Sequence, residues 1–402
     1  MDSSEWKELY FINLSAIMYT IAISHVSIPK HVLTAYRQLC TRALSQGILT
    51  QIGEYFMKKF LIIDGSSMLS TSYYGNLPKS VLFAKTDEEK EKHYGELLHT
   101  STGEYTNALF TMLKTLITLY KKVSPDYAAV AFDVSRDTFR RTQLGADSYK
   151  ANRKETPAPL KEQFIAMENI LQKIGCQVLM DKDYEADDFA ASLVKKFESP
   201  DLETYIITKD HDYFQLVSDY TRLWRVTDKD KVKDMQQRYG LYAGASGYEM
   251  LPAGIFEYTS DIVYSEEGVY PEHIVTLLSI TGDPGDGIPG CKGVSSAAAP
   301  LVNEYGSLDA IYAAIDDCEN DKKKEKALSD FWKGCLGIGR SPLNALKENR
   351  ETVYLSYQLA KMKDDIAIAQ SLENFRLRID KAALKEILTH YEMNSLLTEL
   401  KL

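Results

Sequence analysis

Three apolar runs in this chain each end on an aspartate, and that repeated ending narrows the folds open to it. Residues 60–63 run into Asp64, residues 127–132 into Asp133, and residues 204–208 into the segment carrying Asp210 and Asp212. The runs are largely apolar rather than alternating, the pattern of strands covered on both faces. Between them lie stretches of helical period at residues 106–120, 160–174 and 186–197, with a further short strand-like run at 177–180. Such alternation predicts βαβ units: an α/β fold with a mostly parallel central sheet and helices on both faces. Ligands of these sheets bind beyond the carboxyl ends of the strands, where the aspartates fall. One such ending reads as a turn residue; three invite a metal.

Further acids join them. Glu185, Asp187 and Asp188 crowd into four residues at a predicted helix start, where the bland reading is N-terminal capping. Asp283 and Asp286 lie in a turn rich in glycine and proline. With Asp64, Asp133, Asp210 and Asp212 this makes nine carboxylates, which cannot converge without counter-ions. The donor set favours hard divalent ions, Mg²⁺ or Mn²⁺ and two or more of them, over zinc. The acids have no cysteine among them, and His211 reads as a neighbour rather than a ligand. A pair of such ions suits phosphodiester hydrolysis.

Charge is unevenly spread. The chain of 402 residues carries a formal −10, which taken whole argues against a nucleic-acid partner. Yet residues 134–157 hold six basic side chains against three acidic ones, directly after Asp133, so this basic arch overhangs the carboxylates. Without the nine site acids the formal balance is −1. Five dispersed cysteines with no CxxC pair fit reduced thiols in a cytoplasmic setting. The apolar stretch at residues 9–23 is too short and too interrupted to span a membrane, so no membrane partner is expected. Met57 begins a fresh basic and apolar start, so residues 1–56 read as an extension outside the native protein. The rest divides into a catalytic α/β part at 57–235, an insertion or linker at 236–270 and a helical part at 271–402.

Six ordered motifs resemble the 5′-nuclease superfamily, which includes the 5′→3′ exonuclease domain of bacterial DNA polymerase I and the flap endonucleases. They are IIDG at Asp64, AFD at Asp133, TFRR followed by SYKANR over residues 138–153, YEADD at 184–188, ITKDHDYFQL at 207–216 and ITGDPGDGIPGCKGV at 280–294. The resemblance implies a PIN-like core and a free-standing, monomeric exonuclease, since the chain stops where the family's exonuclease domain does. It implies that Asp64, Asp133, Glu185 and Asp187 hold one metal, while Asp188, Asp210, Asp212, Asp283 and Asp286 shape a second site. Lys150 and Arg153 match arch cations that polarise the scissile phosphate, a role that fits the charge developing in phosphoryl transfer. Arg140 is a candidate phosphate contact. Tyr149 either stacks on a nucleobase or simply packs the arch.

The glycine turn resembles a helix–three-turn–helix element, which implies that Gly290, Lys292 and Gly293 approach duplex phosphates. Implied partners are DNA with 5′ flaps, nicks or primers, and RNA primers. The chain departs from the family at 294–299, where VSSAAA replaces a Gly-x-Lys-Thr pattern, at Gly287 where Asn is usual, and at Thr71 where arginine is frequent. The competing reading is a non-catalytic protein that binds DNA junctions. It conflicts with retention of all nine acids, because idle buried like charges destabilise a fold.

Overall fold

The computed structural model describes residues 57–240, 251–252, 254–318 and 320–402, so the expectation for residues 1–56 lies outside the described residues. Six strands form one sheet: β1 (Lys58–Asp64), β2 (Tyr127–Ala131), β3 (Gln177–Leu179), β4 (Leu202–Thr208), β5 (Thr221–Val226) and β6 (Ile255–Tyr258). Their spatial order is β3-β2-β1-β4-β5-β6, all parallel except β6, which runs antiparallel to β5. The four expected strands are present within one or two residues of their ends. The stretch 236–270 is not a bare linker: it contributes β6 and the helix Ser260–Glu267.

The side-chain period of two makes β1 a two-faced wall. Phe60 and Ile62 enter one hydrophobic core, Leu61 and Ile63 the other, and all four are buried. On the first face lie the helix Ala186–Phe197 and the C-terminal helices, through residues such as Leu193, Leu277, Leu301 and Val353. On the second lie the helices Gly65–Tyr74, Asn107–Val123 and Ala158–Lys173. The helices Lys381–His390 and Asn394–Leu400 join that second face through Leu384, Leu388 and Leu396. The chain gets there by running along the sheet, where Leu377 N–H bonds to the Asp126 carbonyl at 2.9 Å. Lys58–Leu402 is therefore one compact unit whose helical part shares its core with the sheet.

Strand order reverses between β1 and β4, which opens a crevice at their carboxyl ends. The same order occurs in dinucleotide-binding folds, but the turn after β1 reads Asp64-Gly65-Ser66-Ser67 and lacks their glycine fingerprint. That crevice is where the acids gather. No helix among the described residues is long and apolar enough to cross a membrane.

Candidate metal and nucleic-acid site

The last residue of β1 sets the floor of the site. Asp64 is 7% exposed and caps the helix Gly65–Tyr74 by accepting the Ser67 N–H at 2.9 Å. Its other oxygen accepts the Thr208 hydroxyl at 2.7 Å, and that same hydroxyl oxygen accepts the Asp210 N–H at 3.1 Å. Thr208 thus ties the ends of β1 and β4 together, a positioning role carried in sequence only by a hydroxyl residue shortly before an aspartate. Burial, then the neighbouring charge of Asp133, pushes the Asp64 carboxyl up to about 7. Asp133 is exposed and accepts the Ala186 N–H at 2.8 Å, so it anchors the start of the helix carrying Asp187.

Beyond β4, Asp210 Oδ1 accepts the Asp212 N–H at 3.0 Å. Asp212 is 8% exposed, and burial together with Asp210, Asp286 and Asp283 pushes its carboxyl up to about 8. Ligand atoms of Asp212, Asp283 and Asp286 lie within 4.8 Å of one another, as do those of Asp210, His211 and Asp212. Among the described residues, Asp64, Asp133, Glu185 and Asp187 are not drawn into a cluster of three that tight. Two buried oxygens, Asp187 Oδ1 and Asp212 Oδ1, have no hydrogen-bond partner. The Arg140 guanidinium is 3.9 Å from Asp187 Oδ1, too far for a hydrogen bond, so a hard cation would satisfy both oxygens and the donor set fits Mg²⁺ or Mn²⁺.

The arch folds back onto these acids. Lys150 Nζ bonds Glu185 and lies 3.6 Å from Asp286, while Arg153 Nη2 bonds Asp286 at 2.7 Å. Burial works against the Lys150 charge, but Tyr149, Glu185, Asp187 and Asp286 outweigh it and hold its pKa well above the ordinary lysine value. Glu185 also accepts the Thr138 hydroxyl at 3.0 Å and the Tyr149 hydroxyl at 3.2 Å. Burial opposes ionisation there, yet Lys150 and Arg140 prevail and bring its carboxyl down to about 2. Lys150 has a positive φ of 49°, a region that non-glycine residues rarely occupy. That turn aims its N–H at the Asp286 carbonyl, 2.8 Å away. At Gly287, also with φ positive, a Cβ would sit 2.4 Å from the Ser148 carbonyl oxygen. The departure from asparagine at this position is therefore built into the packing of arch on turn.

The expectations for Arg140, Asp188 and Gly290 are corrected, and of the two readings of Tyr149 the structure shows packing. Arg140, expected at phosphate, is 1% exposed and binds Asp188 in a fork, Nη1 at 2.9 Å and Nη2 at 2.7 Å. Two further donors reach the carbonyls of Leu359 and Lys361 at 3.1 and 3.2 Å. Asp188, expected near metal, is 0% exposed and also accepts the N–H groups of Glu185 and Lys363, so its oxygens are consumed by structure. Tyr149 is 3% exposed and packs with Ile288 and Leu359, which leaves no free ring face for a base. Of the turn residues, Gly290 is buried with its N–H donated to Ser356 Oγ at 3.0 Å, whereas Lys292 and Gly293 are exposed.

Two family models match the chain: a 5′-3′ exonuclease N-terminal resolvase-like domain over residues 59–240, and a 5′-3′ exonuclease C-terminal SAM fold over residues 269–383. A 5′-3′ exonuclease of Aquifex aeolicus is 31% identical over 345 residues, covering 85% of this chain and 95% of that protein. DNA polymerase I of Bacillus caldotenax is 27% identical over 318 residues, which is 79% of this chain but 29% of the polymerase. Among solved structures, a T5 5′-exonuclease with bound divalent metal ions (zinc) aligns with a TM-score of 0.48 at 19% identity, covering 83% of this chain and 99% of that one.

Proposed function

The chain belongs to the 5′-3′ exonuclease family, and from that premise we propose that it is a divalent-metal-dependent, structure-specific nuclease that hydrolyses phosphodiester bonds of DNA, and of RNA primers, at junctions of single strand and duplex. The observation that carries this reading is the meeting of two opposite charge sets at one sheet edge. Carboxylates come from the ends of β1 and β4 and from the 184–188 and 283–286 segments, those of Asp187 and Asp212 each with an orphaned buried oxygen, and the arch cations Lys150 and Arg153 bond Glu185 and Asp286 among them. Asp64, Asp133, Glu185, Asp187, Asp210, Asp212, Asp283 and Asp286 would hold two or more Mg²⁺ or Mn²⁺ ions, Glu185 once a phosphate draws Lys150 away from it. Bound there, such ions supply an activated water and neutralise the phosphate.

The chain's own residues perform the rest. Lys150 and Arg153 now serve as counter-ions to Glu185 and Asp286. A phosphate entering the site competes for them, and they stabilise the charge that grows on it in the transition state. Lys292 and Gly293 offer an ammonium and a backbone N–H to the duplex without reading its sequence. The expected setting is replication and repair, in the cytoplasm at the nucleoid, with the protein acting as a monomer. Asp212→Asn tests the reading: flap cleavage should collapse while flap binding persists in Ca²⁺. Undiminished cleavage by that variant sinks it.

A further inference from the structure

His211 stands where the reading above gives it no work. Its ring is 47% exposed, with Nε2 3.6 Å from Asp212 Oδ1 and Nδ1 3.9 Å from Asp210 Oδ1. Both separations are too long for hydrogen bonds, and Asp212 Oδ1 is one of the two buried carboxylate oxygens without a partner. A residue 92% buried therefore aims an unsatisfied oxygen at an imidazole nitrogen, with a second carboxylate within 4.8 Å of both. An octahedral ion about 2.1 Å from each ligand holds neighbouring ligands about 3 Å apart and opposite ones about 4.2 Å apart. The three side chains already stand near that range, and the half-exposed ring has Phe214 edge-on at 6.5 Å as its ring neighbour.

We propose that Asp210, His211 and Asp212 form a mixed nitrogen and oxygen site that selects a divalent first-row transition ion over Mg²⁺. This inference rests on the reading of the sheet edge as a divalent-metal site, and adds which ion it prefers and why. Mg²⁺ takes oxygen donors and keeps its waters, so an imidazole gains it little. First-row transition ions accept imidazole readily, and affinity for a nitrogen-bearing site rises from Mn²⁺ onward along the series. Mn²⁺, at the weak end of that series, is the most demanding probe. The sequence reading of His211 as a bystander came from its lone position among acids. The folded chain places it across from an oxygen that nothing else satisfies.

The test uses the full chain stripped of metal and titrated with Mn²⁺. Pulsed electron paramagnetic resonance should show ¹⁴N coupling from a directly bound imidazole, and His211→Gln should abolish it. By calorimetry, the same variant should weaken Mn²⁺ binding by about tenfold or more while Mg²⁺ binding moves by less than about threefold. Circular dichroism melts confirm that the variant, altered at an exposed ring, is folded. If Mn²⁺ binds the wild type with oxygen ligands only, this inference falls and the nuclease reading stands. If neither ion binds, both fall.

Discussion

Replacing Arg140 by methionine separates a structural arginine from a DNA-binding one. Methionine keeps the apolar stem and removes the guanidinium. The variant leaves Asp188 charged at 0% exposure, with only the N–H donors of Glu185 and Lys363, and strips the carbonyls of Leu359 and Lys361 of their donor. Breaking a buried pair by removing one partner costs about 3–5 kcal/mol, because the surviving charge is uncompensated. Domains of ordinary stability have about 5–15 kcal/mol in hand, so Arg140→Met should remain folded but visibly weakened. Equilibrium unfolding in urea reads this directly. Arg140→Met combined with Asp188→Asn removes the stranded charge. The Glu185 and Lys363 N–H groups bond different oxygens of Asp188, however, so the one amide oxygen keeps only one of them. The double variant should therefore recover only part of the loss, about 1 kcal/mol. The slope of DNA affinity against salt should stay at the wild-type value, since this guanidinium meets no solvent. A loss under about 1 kcal/mol, with a salt slope reduced by about one unit, would refute the reasoning and return Arg140 to the phosphate backbone.

Other outcomes follow from the same geometry. Burial and like charges raise Asp64 to about 7 and Asp212 to about 8, so the folded state holds these protons more tightly than the unfolded chain. The melting temperature of metal-free protein should therefore fall as pH rises through 7 to 8, and added Mn²⁺ should flatten the trend; a flat metal-free profile contradicts it. Glu185 acts oppositely: held down to about 2, its contribution is present above the ordinary value of 4.5 and is lost as pH falls towards 2. Gly287→Ala forces a Cβ against the Ser148 carbonyl at positive φ, with an expected cost of about 1–3 kcal/mol in unfolding and a drop in single-turnover cleavage. Lys150→Ala should slow the chemical step in single-turnover assays more than it weakens flap binding.

Sequence made the sheet legible where chemistry is local. Residues 60–63 and 127–132 are apolar throughout because both faces of their strands are covered, and the aspartates that end them mark the edge where ligands bind. The strands β5 and β6 escaped notice for a physical reason. Arg222 and Arg225 interrupt the apolar run of β5, and β6 is four residues long at the rim of the sheet, with an antiparallel partner. Within the site, Asp187 and Asp188 are adjacent letters with opposite fates. Asp187 keeps a buried oxygen without a hydrogen bond, 3.9 Å from the Arg140 guanidinium, while Asp188 is forked to that same guanidinium, recruited from 48 residues upstream. No local pattern reports such a pairing, because a buried arginine and an exposed one are written alike. Tyr149 shows the same limit: its sequence leaves base stacking and packing of the arch equally open, and only its contacts with Ile288 and Leu359 decide for packing.

The contact between Gly287 and Ser148 leaves no clearance for a single carbon atom, and the Lys150 N–H is fastened to the Asp286 carbonyl beside it. The base of the arch and the turn are therefore latched like two teeth of one gear. Neither can slide without dragging the other. On the reading proposed above, duplex held at Lys292 and Gly293 would pull on the turn and so on the backbone that carries the Lys150 ammonium. Under that reading, a grip on double strand would reach the carboxylates through this latch alone.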